Sequence, residues 1–437
     1  MKLFISLSLL FQLGIQSAVF AQATYIPIGN AKTKQAVITL APSDAPGAMA
    51  SSYAVQILKT VEADLNFFEL FKIASVSSYP QENIKDAADI KYAEWIKAGI
   101  DYMTFSSLAM DGPSKVVFTF HVVGTSAGKE LMVKKYAATT HDLKIMAHTI
   151  ADDLVMAVTG KRGVFKTRIA FVCEKASKKE IYTMSFDGSD IKQVTRFDSI
   201  SMAPAWSPDG KKLAFSIFNR HSDNTKNIDL FELNFQSGKV SLLSNKKGIN
   251  SGANYHPNGS SLAYTMSFAG TPTIYILNLE TKQSSQLTKS IGFDVDPKFS
   301  PDGKQVAFTS TRAGKPMIYV LPTASPGEAK RLTYAGQYNA TPSWLPDGRH
   351  IIFAGMLEGH FDLFRINLDN DQIDRLTKGE GNNEDPSVSP DGNYLVFSSN
   401  RANGKNIWVM STDGRFAKRL TFGAGQCVAP AWSPYLN

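Results

Sequence analysis

Six copies of one short pattern fill the carboxy-terminal part of the chain, and no other feature restricts its fold as tightly. They read Trp206-Ser-Pro-Asp-Gly210, Tyr255-His-Pro-Asn-Gly259, Phe299-Ser-Pro-Asp-Gly303, Trp344-Leu-Pro-Asp-Gly348, Val388-Ser-Pro-Asp-Gly392 and Trp432-Ser-Pro-Tyr435. Their prolines, at 208, 257, 301, 346, 390 and 434, lie 49, 44, 45, 44 and 44 residues apart. A period in the forties with strand-like content marks the blades of a β-propeller.

Each full repeat carries four short apolar runs, A to D. A precedes the turn; B follows it, as in Leu213-Ala-Phe215 and Val306-Ala-Phe308; C is an apolar-aromatic pair such as Ile318-Tyr319; D closes the unit, as in Arg331-Leu-Thr333. Pro-Asp-Gly suits the A–B turn because proline pre-sets φ, Asp tolerates the next position and Gly accepts the left-handed conformation that follows. The segment before the first Pro-Asp-Gly supplies B, C and D alone (Ile169-Ala-Phe171, Ile181-Tyr182, Gln193-Val-Thr195), and the last copy supplies A alone (Ala431-Trp-Ser-Pro434). Together they make a sixth blade, so the ring closes without a lone terminal edge. The expected fold is mainly β: a small α/β domain, then a six-bladed propeller of four-stranded blades closed by the C-terminal strand.

With 437 residues the chain is long enough for two domains. Met1-Lys2, an apolar run from Leu3 to Leu13 and Ala18-Val-Phe-Ala21 read as a secretory signal, with cleavage after Ala21 or Ala23. No later segment is apolar enough to span a membrane, so an exported protein that is not membrane-inserted is expected. The expected organisation is 1–21 signal peptide, 22–34 mobile partner-binding segment, 35–160 α/β domain, 161–166 linker and 167–437 propeller. A formal charge of +7 with no long Lys/Arg run reads as a mixed, solvated surface and argues against nucleic acid.

The amino-terminal part has a different grammar. Gln35 to Leu40 reads as a strand, and Ala54, Ile57, Leu58, Val61, Leu65 and Phe68 recur at helical spacing. A short helix, Tyr92 to Lys97, precedes the strand Tyr102 to Phe105; Val116 to Val123 and Leu131 to Ala137 form a hairpin. A last helix places Leu143, Met146, Ile150, Leu154 and Ala157 on one face, with Asp142 near its start and Gly160 as its stop.

Several patterns imitate chemistry without supplying it. Gly124-Thr-Ser126-Ala-Gly128 matches a nucleophile elbow, but the elbow needs a strand-to-helix turn and this one joins two strands. Asp369-Asn-Asp371-Gln-Ile-Asp374 lacks the Gly and Glu of a calcium loop. The seven His residues are scattered without ligand spacing, and no phosphate-cradling loop is present, so no metal, cofactor or catalytic site is expected. The aromatic residues repeated in the A strands read as packing between blades. Cys173 and Cys427 fall on adjacent strands of the closing blade, about one residue out of opposition; a disulfide and two buried thiols both fit.

The Pro-x-Trp-Ser-Pro-Asp-Gly repeat with its Arg-Leu-Thr closure resembles the propeller repeat of the TolB family. So do Ala147-His-Thr149 through Thr159-Gly160 with Gly163-Val-Phe-Lys-Thr-Arg-Ile-Ala-Phe171, and Ser411-Thr-Asp-Gly-Arg415 through Pro430-Ala-Trp-Ser-Pro-Tyr-Leu436. The likeness covers essentially the whole mature chain; the degenerate turns at His256 and Leu345 and the cysteine pair depart from it. It implies a monomeric, non-enzymatic periplasmic scaffold of the Tol–Pal system. Its propeller would bind the peptidoglycan-associated lipoprotein Pal. Its amino-terminal segment, with Tyr25, Ile26 and Ile28, would communicate with TolA. The role implied is outer-membrane integrity and invagination at division, with other outer-membrane or peptidoglycan-associated proteins as further candidate partners.

The Pal dock is expected on the D–A loops, which propeller geometry gathers at one channel mouth. They carry an acidic and amide ring expected to be uncommitted: Asp198, Ser201, Asn250, Ser251, Asp294, Asp296, Asn339, Asn383, Glu384, Asp385 and Gln426. One competing reading, an exported peptidase gated by a propeller, needs about 200 further residues of hydrolase domain, for which no room is expected after Leu436. Another, a channel-bound small ligand, needs convergent polar and aromatic side chains on the channel-facing A-strand positions.

Overall fold

The computed structural model describes the backbone of Ile26–Pro27 and residues 35–436, apart from 176, 325–328, 415 and 424. The expected signal peptide, Tyr25 and Ile28 lie outside the described residues. Six sheets in ring order form the propeller. Blade 1 comprises the strands from Ser201 to Ser244, and blade 2 those from Asn250 to Gln286. Blade 3 runs from Asp294 to Arg331, blade 4 from Asn339 to Arg375 and blade 5 from Asn383 to Arg419. Blade 6 pairs Gln426–Trp432, as strand A, with Arg168–Lys175, Lys178–Ser185 and Lys192–Gln193. The B strands are buried along nearly their whole length, as in Gln305–Ser310, which fits sheets covered by a neighbour on each face.

The stitch at blade 6 is reinforced. Trp432 Nε1 donates to Thr167 Oγ1 at 2.8 Å, and the Arg168 amide donates to Ser433 Oγ at 3.0 Å. Cys173 and Cys427 are direct register partners, 4.2 Å apart at Cα, and are joined as a disulfide. The one-residue offset expected from hairpin register is corrected by a bulge between Val428 and Ala431, which inserts one extra residue into strand A.

The amino-terminal domain is a five-stranded sheet in the order Phe71–Ile73, Ala36–Ile38, Tyr102–Met110, Lys115–Gly124, Lys129–Thr139. Helices α1 (Ala48–Phe67) and α3 (Leu143–Thr159) cover one face, and α2 (Tyr92–Lys97) packs Trp95 against the other side. Gly160 ends α3 in the left-handed conformation, φ 72°. The expected linker is not a spacer. Val164 and Phe165 are buried in one core that runs without a break from α1 and α3 into blades 5 and 6. Phe68 stacks on Tyr394 with ring centroids 3.9 Å apart, and Phe165 meets Phe186 edge-on at 5.3 Å.

The seam also buries charge. Asp64 accepts from His148 at 2.7 Å, and burial raises its pKa despite that partner. Asp152 accepts the Phe165 amide at 2.9 Å, and burial pushes its carboxyl up to about 6. No helix among the described residues is long and apolar enough to cross a membrane.

Candidate functional site

The bulge of blade 6 recurs in every A strand, and it shapes the central channel. The extra residue is Ala203, Gly252, Asp296, Thr341, Asp385 or Ala429, and all six have positive φ between 50° and 64°. These residues line a channel of about 750 Å³ that runs on to the prolines of the Pro-Asp-Gly turns. Asp296 is pushed up to about 6 by burial and by Asp385, with Lys298 opposing; burial likewise lowers the Lys298 pKa and raises that of Asp385. The remaining bulge positions are Ala, Gly and Thr. Among the described residues no cluster of three or more His, Cys, Asp or Glu could hold a metal ion.

The eleven expected docking residues do gather at the D–A end, but they are not the uncommitted ring that the sequence suggested. Ser201, Asn250, Asp294, Asn339 and Asn383 open their A strands and are buried. Ser201 donates to Glu180 at 3.1 Å, Asn250 donates to the Ile228 carbonyl at 2.9 Å, and Asn339 donates to the Ala335 carbonyl at 2.9 Å. Asp294 takes both oxygens to Arg312 at 3.1 Å, and Asn383 accepts from Arg401 at 2.7 Å. The physical reason is that a buried polar side chain needs a partner away from water: Asn250 and Asn339 satisfy backbone carbonyls near the strand start, whereas Ser201, Asp294 and Asn383 bond the charged side chains of Glu180, Arg312 and Arg401. Cys427 occupies the same place in blade 6, where a covalent bond stands in for those hydrogen bonds.

The others are engaged too. Asp198 pairs with Lys178 at 2.6 Å, Glu384 with Lys405 at 2.7 Å, and Gln426 accepts the Lys405 amide at 2.7 Å. Asp296 and Asp385 line the channel, as Gly252 does beside the half-buried Ser251. The carbonyl-rich acid ring is thus an inner scaffold, and what surrounds it is basic. The D–A and B–C loops together hold nine Lys/Arg against four Asp/Glu, while the A–B and C–D turns at the other end hold six against eleven. The charge is therefore sorted between the two faces rather than mixed. Arg312 and Arg401 were missed because their role needs partners from the next loop; the parallel Thr311-Arg-Ala-Gly-Lys315 and Asn400-Arg-Ala-Asn-Gly-Lys405 segments were the available signal.

The two faces differ in access as well. The amino-terminal domain packs on the turn end of blades 5 and 6, where Phe68 meets Tyr394 and Lys144 pairs with Asp190 at 2.8 Å. The Pro-Asp-Gly turns are internally satisfied: Asp209 and Asp302 each accept from their own turn serine at 2.6 Å and from a backbone amide at 3.0 Å. The loop end carries exposed apolar side chains instead: Ile291 at 97%, Tyr334 at 71%, Phe422 at 70% and Phe268 at 60% exposure. Tyr334 and Phe422 lie against Arg331 and Arg419 at 4.8 and 4.2 Å, which holds the rings at the rim.

Comparison with known proteins agrees with this geometry. Residues 155–436 match the model of the TolB beta propeller domain and residues 24–131 that of the TolB amino-terminal domain. A TolB homolog of Chlorobium luteolum is 32% identical over 60% of this chain and 58% of its own length. The Tol–Pal system protein TolB of Geobacter metallireducens is 33% identical over 48% of this chain and 49% of its own. The matched stretch thus spans about half to three fifths of these curated relatives. The crystal structure of TolB from Acinetobacter baumannii superposes with a TM-score of 0.80 at 26% identity, covering 92% of this chain and 98% of that one. With both its domains matched in chain order and its fold reproduced over nearly its full described length, the chain belongs to the TolB family.

Proposed function

We propose that the chain is a non-enzymatic periplasmic scaffold of the Tol–Pal system that docks Pal on the D–A face of its propeller. It signals that engagement to TolA through residues 22–34, and so maintains outer-membrane integrity and invagination during division. The observation that carries this reading is the pairing of an open, apolar-studded loop face with a turn face partly covered by the amino-terminal domain. A partner on the open face touches several blades at once, and loops held by a rigid scaffold are where recognition residues concentrate. In support of the second half, Ile26–Pro27 runs as a short parallel strand along Ile373–Arg375, the outer edge of blade 4. A two-residue pairing at an exposed edge costs little to release.

Two measurements test the proposal. The exported protein should bind the lipid-free periplasmic domain of Pal from the same cell in titration calorimetry, and bulky substitutions on the D–A face should abolish the heat. Deleting residues 22–34 should leave the thermal melt of the propeller unchanged and remove TolA binding. Retained TolA binding by the deletion variant, or no interaction with Pal, refutes the corresponding half.

A further inference from the structure

We infer that the docking surface is concentrated over blades 2 and 3, and that the protein surface it receives is acidic with protruding apolar side chains. This rests on the proposed Pal-docking function and adds where on the face the contact falls and what chemistry it selects. Five loops surround these two blades: 245–249, 267–272, 287–293, 311–316 and 332–338. They contain Lys246, Lys247, Lys289, Arg312 and Lys315 and not one Asp or Glu. The four lysines are exposed, whereas Arg312 is spent on buried Asp294. The same loops carry Phe268, Ile291 and Tyr334, three of the most exposed large apolar side chains of the propeller. Elsewhere on the face acidic side chains share the loops with the cations: Lys178 pairs with Asp198, Lys405 with Glu384 and Arg401 with Glu380, and the exposed Arg196 and Lys378 sit on the loops that carry Asp198 and Glu380.

Charge and apolarity together favour an acidic protein surface as the occupant. Exposed lysines with no carboxylate on their own loops steer encounter with an acidic partner, and the exposed apolar side chains beside them set how long it stays.

The test measures association and dissociation rates of the exported protein with lipid-free Pal at low and high salt. Lys246→Glu/Lys247→Glu/Lys289→Glu should lower affinity at least about tenfold at low salt, chiefly through the association rate, with the deficit shrinking as salt screens it. Replacing the same lysines by Arg should preserve binding. Phe268→Ala/Ile291→Ala should raise the dissociation rate by about tenfold. Asp369→Lys/Asp371→Lys, on the opposite face, should change neither rate by more than about twofold. Unaltered thermal melts confirm that each variant is folded. Normal Pal binding by both the lysine and the apolar variants overturns this inference while leaving the proposed function standing; failure of the unmodified protein to bind Pal overturns both. Co-sedimentation with phosphatidylglycerol vesicles that the lysine reversal abolishes and Pal does not displace would make a membrane the occupant, and it too overturns the inference.

Discussion

Removing the bond between Cys173 and Cys427 should cost the propeller more than any single hydrogen-bonded cap. In blades 1 to 5 the corresponding strand start is held by Ser201, Asn250, Asp294, Asn339 and Asn383, each through hydrogen bonds. Such a bond contributes about 1 kcal/mol net between neutral groups and roughly 1.5–3 kcal/mol where one partner is charged. The disulfide instead closes a loop of sequence separation 254. On the chain-entropy account a loop of that length stabilises by roughly 5 kcal/mol, because the unfolded chain loses the freedom to separate its ends. For a domain of this size the loss translates into a fall in Tm of roughly 10–20 °C. The variant Cys173→Ala/Cys427→Ser places in blade 6 the residue type that blade 1 already uses there. Thermal melts followed by circular dichroism, with and without reductant, read the effect: the parent should drop to the level of the variant when reduced, and the variant should ignore reductant. Thiol titration of the exported parent under denaturing, non-reducing conditions should find none. Two free thiols, or coincident melts of the parent with and without reductant, would refute the reasoning.

Two further outcomes follow from buried charge. Arg312→Ala should destabilise the propeller by about 3–5 kcal/mol in denaturant titration, because it leaves the fully buried Asp294 unpaired; an Asp294→Asn/Arg312→Met pair should recover most of that loss. Asp152, whose folded carboxyl is pushed up to about 6 by burial, binds its proton more readily folded than unfolded. Its contribution to stability is therefore fully present below the unfolded value near pH 4 and is lost as pH rises through 6, by roughly 3 kcal/mol. Asp152→Asn keeps an oxygen for the Phe165 amide and should flatten the pH profile between 4 and 7; an unchanged slope would show that the carboxyl does not titrate there.

The blade count, strand order and ring closure were legible because each depends on a local pattern repeated six times. The helices were legible from apolar spacing, although α1 begins at Ala48, where small residues carry no periodic signal. The strand Phe71–Ile73 escaped because three residues are too few to show alternation. Tyr102–Met110 was read short because Ser106 and Ser107 interrupt its apolar run. The bulge in each A strand was invisible: a single extra residue changes register, and with it the pairing of the two cysteines, without altering composition. The fate of the acidic and amide residues was hidden for a different reason. Whether Asp294 steers a partner or anchors a strand depends on Arg312, eighteen positions on, and only the folded hairpin brings them to 3.1 Å.

The shared sixth blade also sets an order of events in time. Its strands B to D, from Arg168 to Gln193, leave the ribosome long before strand A, Gln426–Trp432. Until that last strand arrives, the Arg168–Lys175 strand has one unpaired edge, and the Trp432 site beside Thr167 is vacant. The same final residues tie into the interdomain seam, where Arg162 donates to the Leu436 carbonyl at 3.1 Å and stacks on Tyr435 at 4.6 Å. Joining ends so distant in sequence is slow, since loop-closure entropy opposes it until the contacts form. A chain still being synthesised therefore cannot lock its propeller or fully tie its amino-terminal domain to it prematurely. Completion of both waits on the ring-closing strand.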